Sequence, residues 1–503
     1  MTASPRASWL RAAGIAAVGI APVAVDWVAR VVVSPRPFWA YWCDPEAMYF
    51  YSSLELLRGQ APLDIDNPGT PVQLLGALLA WIAGGGPDGF ATFLNLGYAA
   101  ILLTTLIGCV LLARRFAGDV GVGGVVALVW IYFLCPQALA RAVVWAAEPF
   151  QFLGGVLLLI ALDRALRRPS RSRRALVAGL ATGALVGLKF TFLGFVPALM
   201  VGLFSSGRVG RGRRMAAGWL GAVAGFALMT LPAAVRWPRM VQRVLGVASP
   251  GEAPVWADPA TEPSYLDDLL RPFASGTVWY GLVALAVVAW VLIVLWRRRS
   301  SDPVAPRDLA LGLFSLAALV LTHVAASRAP YLRYHLPNAV AAAALVLSVL
   351  RITPTPRRRL ASAGLALILA LGMTRQVVMN LGWHGRLTAE HVALRAAADA
   401  AIREDGGDAD SVVLYGGRFP HPALALLLFA RTREEEEAVA RLHPTSGFYD
   451  RRSRRLVQPH DRAWDYLVLE VHDLATFPGP HGAIIATVGE GNETSSSYRI
   501  VKR

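Results

Sequence analysis

Residues 175–207 read ALVAGLATGALVGLKFTFLGFVPALMVGLFSSG, an apolar stretch enclosed by arginine clusters that end at Arg174 and resume at Arg208. A helix that crosses a bilayer needs about 20 residues, so this interval is too short for two full crossings. The sequence therefore predicts two shortened helices that meet at Lys189, short of the outer surface. Non-helical backbone at such depth is tolerated where it lines a cavity.

Similar apolar runs recur from Leu10 to Arg375, and each is closed by arginines. The chain of 503 residues is 55% hydrophobic and 17% charged, with a mean hydropathy of +0.47. This composition excludes a soluble enzyme and predicts an α-helical polytopic membrane protein. The runs between basic clusters predict about eleven transmembrane helices, near 10–33, 91–113, 121–136, 146–163, 175–188, 190–205, 215–234, 277–296, 309–326, 336–350 and 360–377.

The net charge of +15 would suggest a nucleic-acid partner on a soluble chain, but here the arginines stand in short clusters between apolar runs. One set of connections carries 22 basic residues against four acids, whereas the alternate set is balanced. By the positive-inside rule the first set is cytoplasmic. We therefore expect a multi-pass protein of the plasma (inner) membrane with a cytoplasmic N-terminus, and no nucleic-acid partner.

Outside the predicted spans, three segments are long enough to have structure of their own. The outward loop at 34–90 contains two stretches typical of interfacial helices, and the loop at 235–276 is either a lid or an ordered connector. Residues 380–503 alternate helix-like stretches with β-branched runs (SVVLYGG, DYLVLEV, AIIATV), which predicts a small α/β extracytoplasmic domain behind a transmembrane domain of residues 1–379. In this domain the run Glu434 to Glu437 indicates a solvated helix face.

Acidic residues at the predicted outer ends of helices are the first candidates for chemistry. Asp44 and Glu46 follow the first predicted helix, where a carboxylate could act as general base toward an acceptor. Glu148 opens the fourth predicted helix and could polarise the acceptor or, with Asp44, hold a divalent metal cation. The alternative for all three is a structural one, because acids also stabilise the first turn of a helix.

Cations on the same predicted side are candidates for binding a phosphate group. Lys189 is the one lysine of the predicted membrane region, and an ammonium at the meeting point of two short helices suits a phosphate oxygen. Arg333, Tyr334 and His335 begin the tenth predicted helix, and a guanidinium can bind phosphate oxygens in pairs. Arg141 is a weaker candidate. The alternatives are snorkelling for Lys189 and an interfacial aromatic and arginine anchor for the later group.

Four stretches, taken in order, resemble a known superfamily. Residues 44–75 (DPEAMYFYSSLELLRGQAPLDIDNPGTPVQLL) resemble the first outward loop of C-type (GT-C) glycosyltransferases, which include protein O-mannosyltransferases and bacterial aminoarabinose transferases. The resemblance continues in CPQALARAVVWAAEPF, GLATGALVGLKFTFL and YLRYHLP, and it covers roughly residues 10–350. It implies a GT-C-like membrane fold.

The resemblance also implies an activity, namely transfer of a sugar from a polyprenyl-phosphate donor to a glycan, lipid or protein acceptor at the outer face. The catalytic acid would be Asp44 or Glu46, with Glu148 as second acid and Lys189 and Arg333 at the carrier phosphate. Acceptor-side loop positions would be Tyr49, Asp66 and Asn67. Two departures matter: Pro45 separates the acidic pair, and Asn67 stands where the family has histidine.

Two other classes of function remain open from the sequence. A transporter or lipid flippase would have internal repeats with paired broken helices, and only one such pair is evident, at Lys189. A membrane receptor or scaffold would use the C-terminal domain for binding and the acids only as helix caps. An Asp44→Asn replacement separates capping from catalysis, because asparagine caps a helix about as well as aspartate.

Overall fold

The computed structural model describes most of the chain. The described residues are 5–33, 46–62, 69–168, 170–208, 210–248, 277–300, 303–327, 332–416, 419, 421, 426, 433–450, 455–457, 464–470, 483–489 and 497–503. Asp44, Asp66 and Asn67 lie outside them, as does most of the second outward loop.

Helices make up most of the described residues. In chain order these are α1 (Pro5–Trp27), α2 (Glu46–Leu57), α3 (Thr70–Ile82), α4 (Phe90–Phe133), α5 (Ala138–Arg141), α6 (Ala147–Arg167), α7 (Ser172–Leu188), α8 (Phe195–Ser205), α9 (Arg211–Thr230), α10 (Trp237–Ala248), α11 (Thr277–Arg299), α12 (Pro306–Ser327), α13 (Pro337–Ile352), α14 (Thr355–Glu404) and α15 (Arg433–Leu442). Short 3-10 segments occur at Pro87–Gly89, Phe190–Gly194, Leu231–Arg236 and Leu332–His335. The structure is therefore mostly helical, as the composition predicts.

Seven helices within the described residues are long and apolar enough to cross a membrane. They are Trp9–Val33, Pro87–Phe133, Ala147–Arg167, Arg211–Gln242, Val278–Arg299, Pro306–Ala326 and Thr355–Glu404. The predicted number of eleven is not confirmed. Two predicted spans form the two parts of α4, which meet at a kink at Gly121 (φ 77°, ψ 178°). Three others form helices below the 18-residue length, at α7, Phe190–Ser205 and α13.

Contacts divide the chain into two compact units. The first comprises Met1–Ala29, Ala61–Leu74 and Tyr98–Asn380, and the second comprises Arg30–Gln60, Leu75–Gly97 and Leu381–Arg503. The second unit thus combines the C-terminal region with two segments from the beginning of the chain. The domain boundary at residues 379/380 stays a prediction.

In the first unit, α7 and α9 approach so closely that their backbones touch. A Cβ atom on Gly183 would overlap the carbonyl oxygen of Ala222, and one on Gly221 would overlap that of Leu176. Small residues at helix–helix contacts permit this approach in membranes, where van der Waals packing replaces the hydrophobic effect. Because α7 ends directly before Lys189, this packing sets the position of that residue.

We expect Gly183→Ala to lower the free energy of unfolding in detergent by roughly 3 kcal/mol or more, because the added methyl group meets backbone that cannot move aside. The melting temperature should fall accordingly. Gly364→Ala is the matched control, since nothing lies within 4 Å of the place that a methyl group would take on that helical glycine. It should be neutral or stabilising by up to about 1 kcal/mol, the helix preference of alanine over glycine. Equal melting temperatures for the two variants would contradict the close packing.

An ionic cluster also holds the first unit together. Asp163 of α6 accepts hydrogen bonds from Arg115 of α4, from Arg167 and, at 2.7 Å, from Arg351 of α13. Asp119 of α4 accepts from Arg167 and Arg351. Asp163 and Arg351 are both buried. Arginines whose sequence pattern indicates only membrane orientation therefore also join three helices.

The second unit contains a six-stranded sheet. Its strands are β1 (Val413–Gly416), β2 (Ser446–Asp450), β3 (Arg455–Val457), β4 (Tyr466–Glu470), β5 (Ile484–Val488) and β6 (Tyr498–Lys502). Their order is β3-β2-β1-β4-β6-β5, with β1 parallel to β2 and β4 and the remaining pairs antiparallel. The three β-branched runs of the sequence form β1, β4 and β5, which confirms the predicted α/β fold of this region.

Helix α2 belongs to the same unit and is mostly buried. The ring of Phe50 lies 4.9 Å from that of Phe90 and 4.8 Å from that of Phe93, measured between centroids. The predicted short helix of the first outward loop is therefore present, and it packs within the protein.

Candidate functional site

Lys189 lies where α7 ends, and its backbone is extended (φ −158°, ψ 129°) before the 3-10 segment Phe190–Gly194 begins. Its side chain is only 1% exposed. An isolated ammonium in such a place would be very costly, so it requires a partner. The structure thus confirms that two short helices meet at this lysine.

The partner of Lys189 is Glu148, which lies in the first turn of α6. The Lys189 Nζ atom is 2.6 Å from Glu148 Oε1, and both side chains are buried. The same Nζ atom lies 4.8 Å from the centroid of the Tyr334 ring, in cation–π geometry. Three residues that the sequence singles out separately are therefore adjacent in the first unit.

Gln151 follows Glu148 by three residues, so the two share one face of α6. The Gln151 side chain is fully buried, and within the described part of the chain neither of its amide atoms has a hydrogen-bond partner. Leaving such a group unmatched in an apolar interior costs several kcal/mol by water-to-alkane transfer. The position therefore favours a polar ligand or water next to this amide.

His335 and Arg333 belong to the 3-10 segment Leu332–His335. The His335 ring lies 5.0 Å from that of His323, and burial, with a smaller contribution from His323, lowers the pKa of His335 to about 3. His335 is therefore neutral at physiological pH, and its ring offers one hydrogen-bond donor and one acceptor. The Arg333 side chain is outside the described part of the structure. The sequence does not single out His323, because a lone histidine within the apolar α12 gives no signal.

In the second unit, Glu46 is the first residue of α2 and is 2% exposed. Tyr49 lies one turn later and is equally buried. An acid in the first turn interacts favourably with the helix dipole, so helix capping and chemistry both remain consistent with this position. Asp44, the alternative base, is not among the described residues.

Arg141 ends α5 and is partly exposed. The described residues contain no group of three or more His, Cys, Asp or Glu side chains that could hold a metal ion. Glu148, one of the two predicted metal ligands, pairs with the ammonium of Lys189. Asp44, the other predicted ligand, lies outside the described residues, so the metal site stays a prediction.

Comparison of the sequence with protein-family models gives no match, and comparison with curated proteins gives none. Solved structures do match. The chain is similar to ArnT from Cupriavidus metallidurans bound to undecaprenyl phosphate, with a TM-score of 0.54 and 13% identity, and to the same protein in the apo state, with a TM-score of 0.54 and 15% identity. Each alignment covers 97% of both chains. Over nearly its whole length, this chain therefore has the fold seen in ArnT.

Proposed function

We propose that the protein transfers a sugar from a polyprenyl-phosphate-linked donor to an acceptor at the outer face of the membrane. The observation that carries this proposal is the buried Lys189–Glu148 pair, with Tyr334 over the ammonium and the unmatched amide of Gln151 beside Glu148. A polar, charged site at the end of a shortened helix suits the headgroup of a lipid-linked sugar. The fold similarity to a protein that binds undecaprenyl phosphate supports the same class of donor.

The reaction needs two functions from the protein. An acceptor hydroxyl or amine attacks the anomeric carbon, the bond between that carbon and the phosphate oxygen breaks, and the polyprenyl phosphate leaves with the electron pair. A carboxylate takes the acceptor proton. An ammonium has three N–H donors, so Lys189 can donate to Glu148 and to phosphate oxygens together, which stabilises the leaving group.

Glu148 has a supporting role in this scheme. Its negative charge compensates the buried ammonium of Lys189, because an unpaired charge is costly in such a place. Glu46 or Asp44 then remains to act on the acceptor. Arg333 is the proposed second contact to the phosphate, and Arg141 is an alternative.

We expect Glu46→Gln to lower the turnover number by about 10²–10⁴-fold, the usual contribution of a general base. Glutamine retains the size of glutamate and one of its two acceptor oxygens, so the amount of protein in the membrane should not change. The measurement is transfer from purified polyprenyl-phosphate sugars, together with the yield and melting temperature of the variant. Asp44→Asn is the parallel variant for the other acid.

Three outcomes are informative. Loss of turnover in only one of the two variants identifies the base. Near-normal turnover in both variants and in the double variant would contradict a base in this loop. Absence of any transfer by the wild-type protein from polyprenyl-phosphate sugars would contradict the proposed function itself.

The proposed function implies one orientation of the protein in the membrane. The arginine-rich loops and the N-terminus lie in the cytoplasm, and the first outward loop and the C-terminal domain of residues 380–503 lie outside, in the plasma (inner) membrane. The acceptor is a glycan, a lipid or a protein. This arrangement puts the acceptor-side acids and the C-terminal domain on the same side of the membrane.

A further inference from the structure

Glu435 is the buried member of the acidic run Glu434 to Glu437. Glu434 and Glu437 of α15 are exposed, as expected for a solvated helix face, but Glu435 is 1% exposed. For Glu435 the prediction from the charge run is therefore wrong, because a run of four acids cannot face solvent on every side of a helix that packs against protein. A carboxylate in such a place requires a cationic partner.

The partner comes from the beginning of the chain. Arg58 directly follows α2, and its Nη1 atom donates to Glu435 Oε1 at 2.6 Å. The two residues are 377 positions apart in sequence and belong to the same compact unit. The Arg58 side chain is 34% exposed, so it reaches from the surface to the buried carboxylate.

Tyr51 lies two helical turns before Arg58, on the same face of α2. It is 1% exposed, and its hydroxyl has no hydrogen-bond partner within the described residues. Burial, and next to it the negative charge of Glu435, raise the pKa of the Tyr51 hydroxyl. The electrostatic influence of Glu435 therefore extends along α2 from Arg58 to Tyr51.

Other contacts within the unit restrain the same helices. The ring of Phe50 packs on Phe90 and Phe93, and the 3-10 segment Pro87–Gly89, which precedes Phe90, contacts α15. Helix α2 is thus held by aromatic packing at Phe50, and the Arg58–Glu435 ion pair lies directly after its C-terminal end. Its N-terminal residue is Glu46.

We propose that the Arg58–Glu435 salt bridge fixes the position of α2, and with it Glu46, so that the C-terminal domain sets the geometry of the acid that acts on the acceptor. Arg58 and Glu435 are then positioning residues, and the C-terminal domain is part of the catalytic apparatus. This proposal rests on the proposed function. Displacement of a catalytic group by about 1 Å lowers turnover by as much as about 100-fold, so a rigid connection to α2 has a direct effect on rate.

The test compares Glu435→Gln with Glu434→Gln in the full-length, solubilised protein. The two changes are adjacent on α15 and remove the same charge, but only the first removes the salt bridge. We expect Glu435→Gln to increase hydrogen–deuterium exchange in residues 46–57 and to lower the turnover number by about 10- to 100-fold. Binding of undecaprenyl phosphate should not change, because Lys189 and Glu148 belong to the other unit. Glu434→Gln should match the wild type in every measurement.

The charge-exchange variant Arg58→Glu/Glu435→Arg should restore part of the protection of residues 46–57 and part of the turnover. Unchanged hydrogen–deuterium exchange of residues 46–57 in Glu435→Gln would overturn the proposal. Increased exchange of these residues with full turnover would also overturn it. If melting temperature, undecaprenyl phosphate binding and turnover all fall together, the pair has a purely structural role, and this result would also overturn the proposal. If the wild type transfers no sugar, the proposed function fails, whereas the exchange data still decide whether the salt bridge holds α2.

Discussion

Replacing Lys189 with methionine is expected to lower the free energy of unfolding by about 3–5 kcal/mol, because the change leaves the buried carboxylate of Glu148 without a counter-charge. Turnover should fall at least 100-fold, since the departing phosphate loses its ammonium contact. Melting temperature, equilibrium unfolding and sugar transfer are the measurements. A single variant cannot separate these two effects.

The double variant Lys189→Met/Glu148→Gln separates them. Glutamine removes the unpaired charge and keeps the shape of glutamate, so most of the lost stability should return. Turnover should remain at least 100-fold below that of the wild type, because no cation faces the phosphate. Recovery of turnover with stability would place the phosphate elsewhere, with Arg141 as the next candidate. Full stability of the single variant would contradict the buried pair.

Replacing Arg351 with methionine should lower the free energy of unfolding by about 3 kcal/mol. Its guanidinium lies between Asp163 and Asp119, and its side chain is 4% exposed. After the change, Arg115 and Arg167 remain near these carboxylates, which limits the loss to the lower end of the range for a broken buried pair. Equilibrium unfolding in detergent measures the effect.

Arg357→Met is the matched control, since Arg357 is an exposed arginine only six positions along the chain. It should change stability by less than about 0.5 kcal/mol, as surface substitutions usually do. Because buried ion pairs are screened far less than exposed ones, the effect of Arg351→Met should persist at high salt. Equal stability of the two variants would mean that the cluster at Asp163 contributes only to membrane orientation.

The hydropathy pattern and the positions of the arginines predict much of the fold. Apolar runs predict the long helices, and β-branched runs predict β1, β4 and β5. Helix ends are harder to predict, because hydropathy measures the partition of a segment between water and lipid and not its backbone geometry. The two spans predicted around Gly121 meet at a kink at that glycine (φ 77°, ψ 178°), and hydropathy alone does not give the position of this kink.

The candidate site could be predicted in part. Lys189 stands out because it is a lysine in an apolar, arginine-using chain, and Glu148 stands out as an acid at a helix start. Their pairing across 41 residues depends on how α6 and α7 pack, which no local pattern encodes. The Arg58–Glu435 contact is harder still, because a buried glutamate next to exposed ones has the same sequence signal as a solvated face.

The shortness of the helices that meet at Lys189 also has a consequence for the surrounding lipid. At about 1.5 Å per residue, the 17 residues of α7 extend roughly 26 Å and the 11 residues of α8 roughly 17 Å, less than the hydrocarbon thickness of about 30 Å. Such hydrophobic mismatch is relieved by local thinning of the bilayer. Acyl-chain length in the host membrane would then set how much the bilayer must deform around α7 and α8.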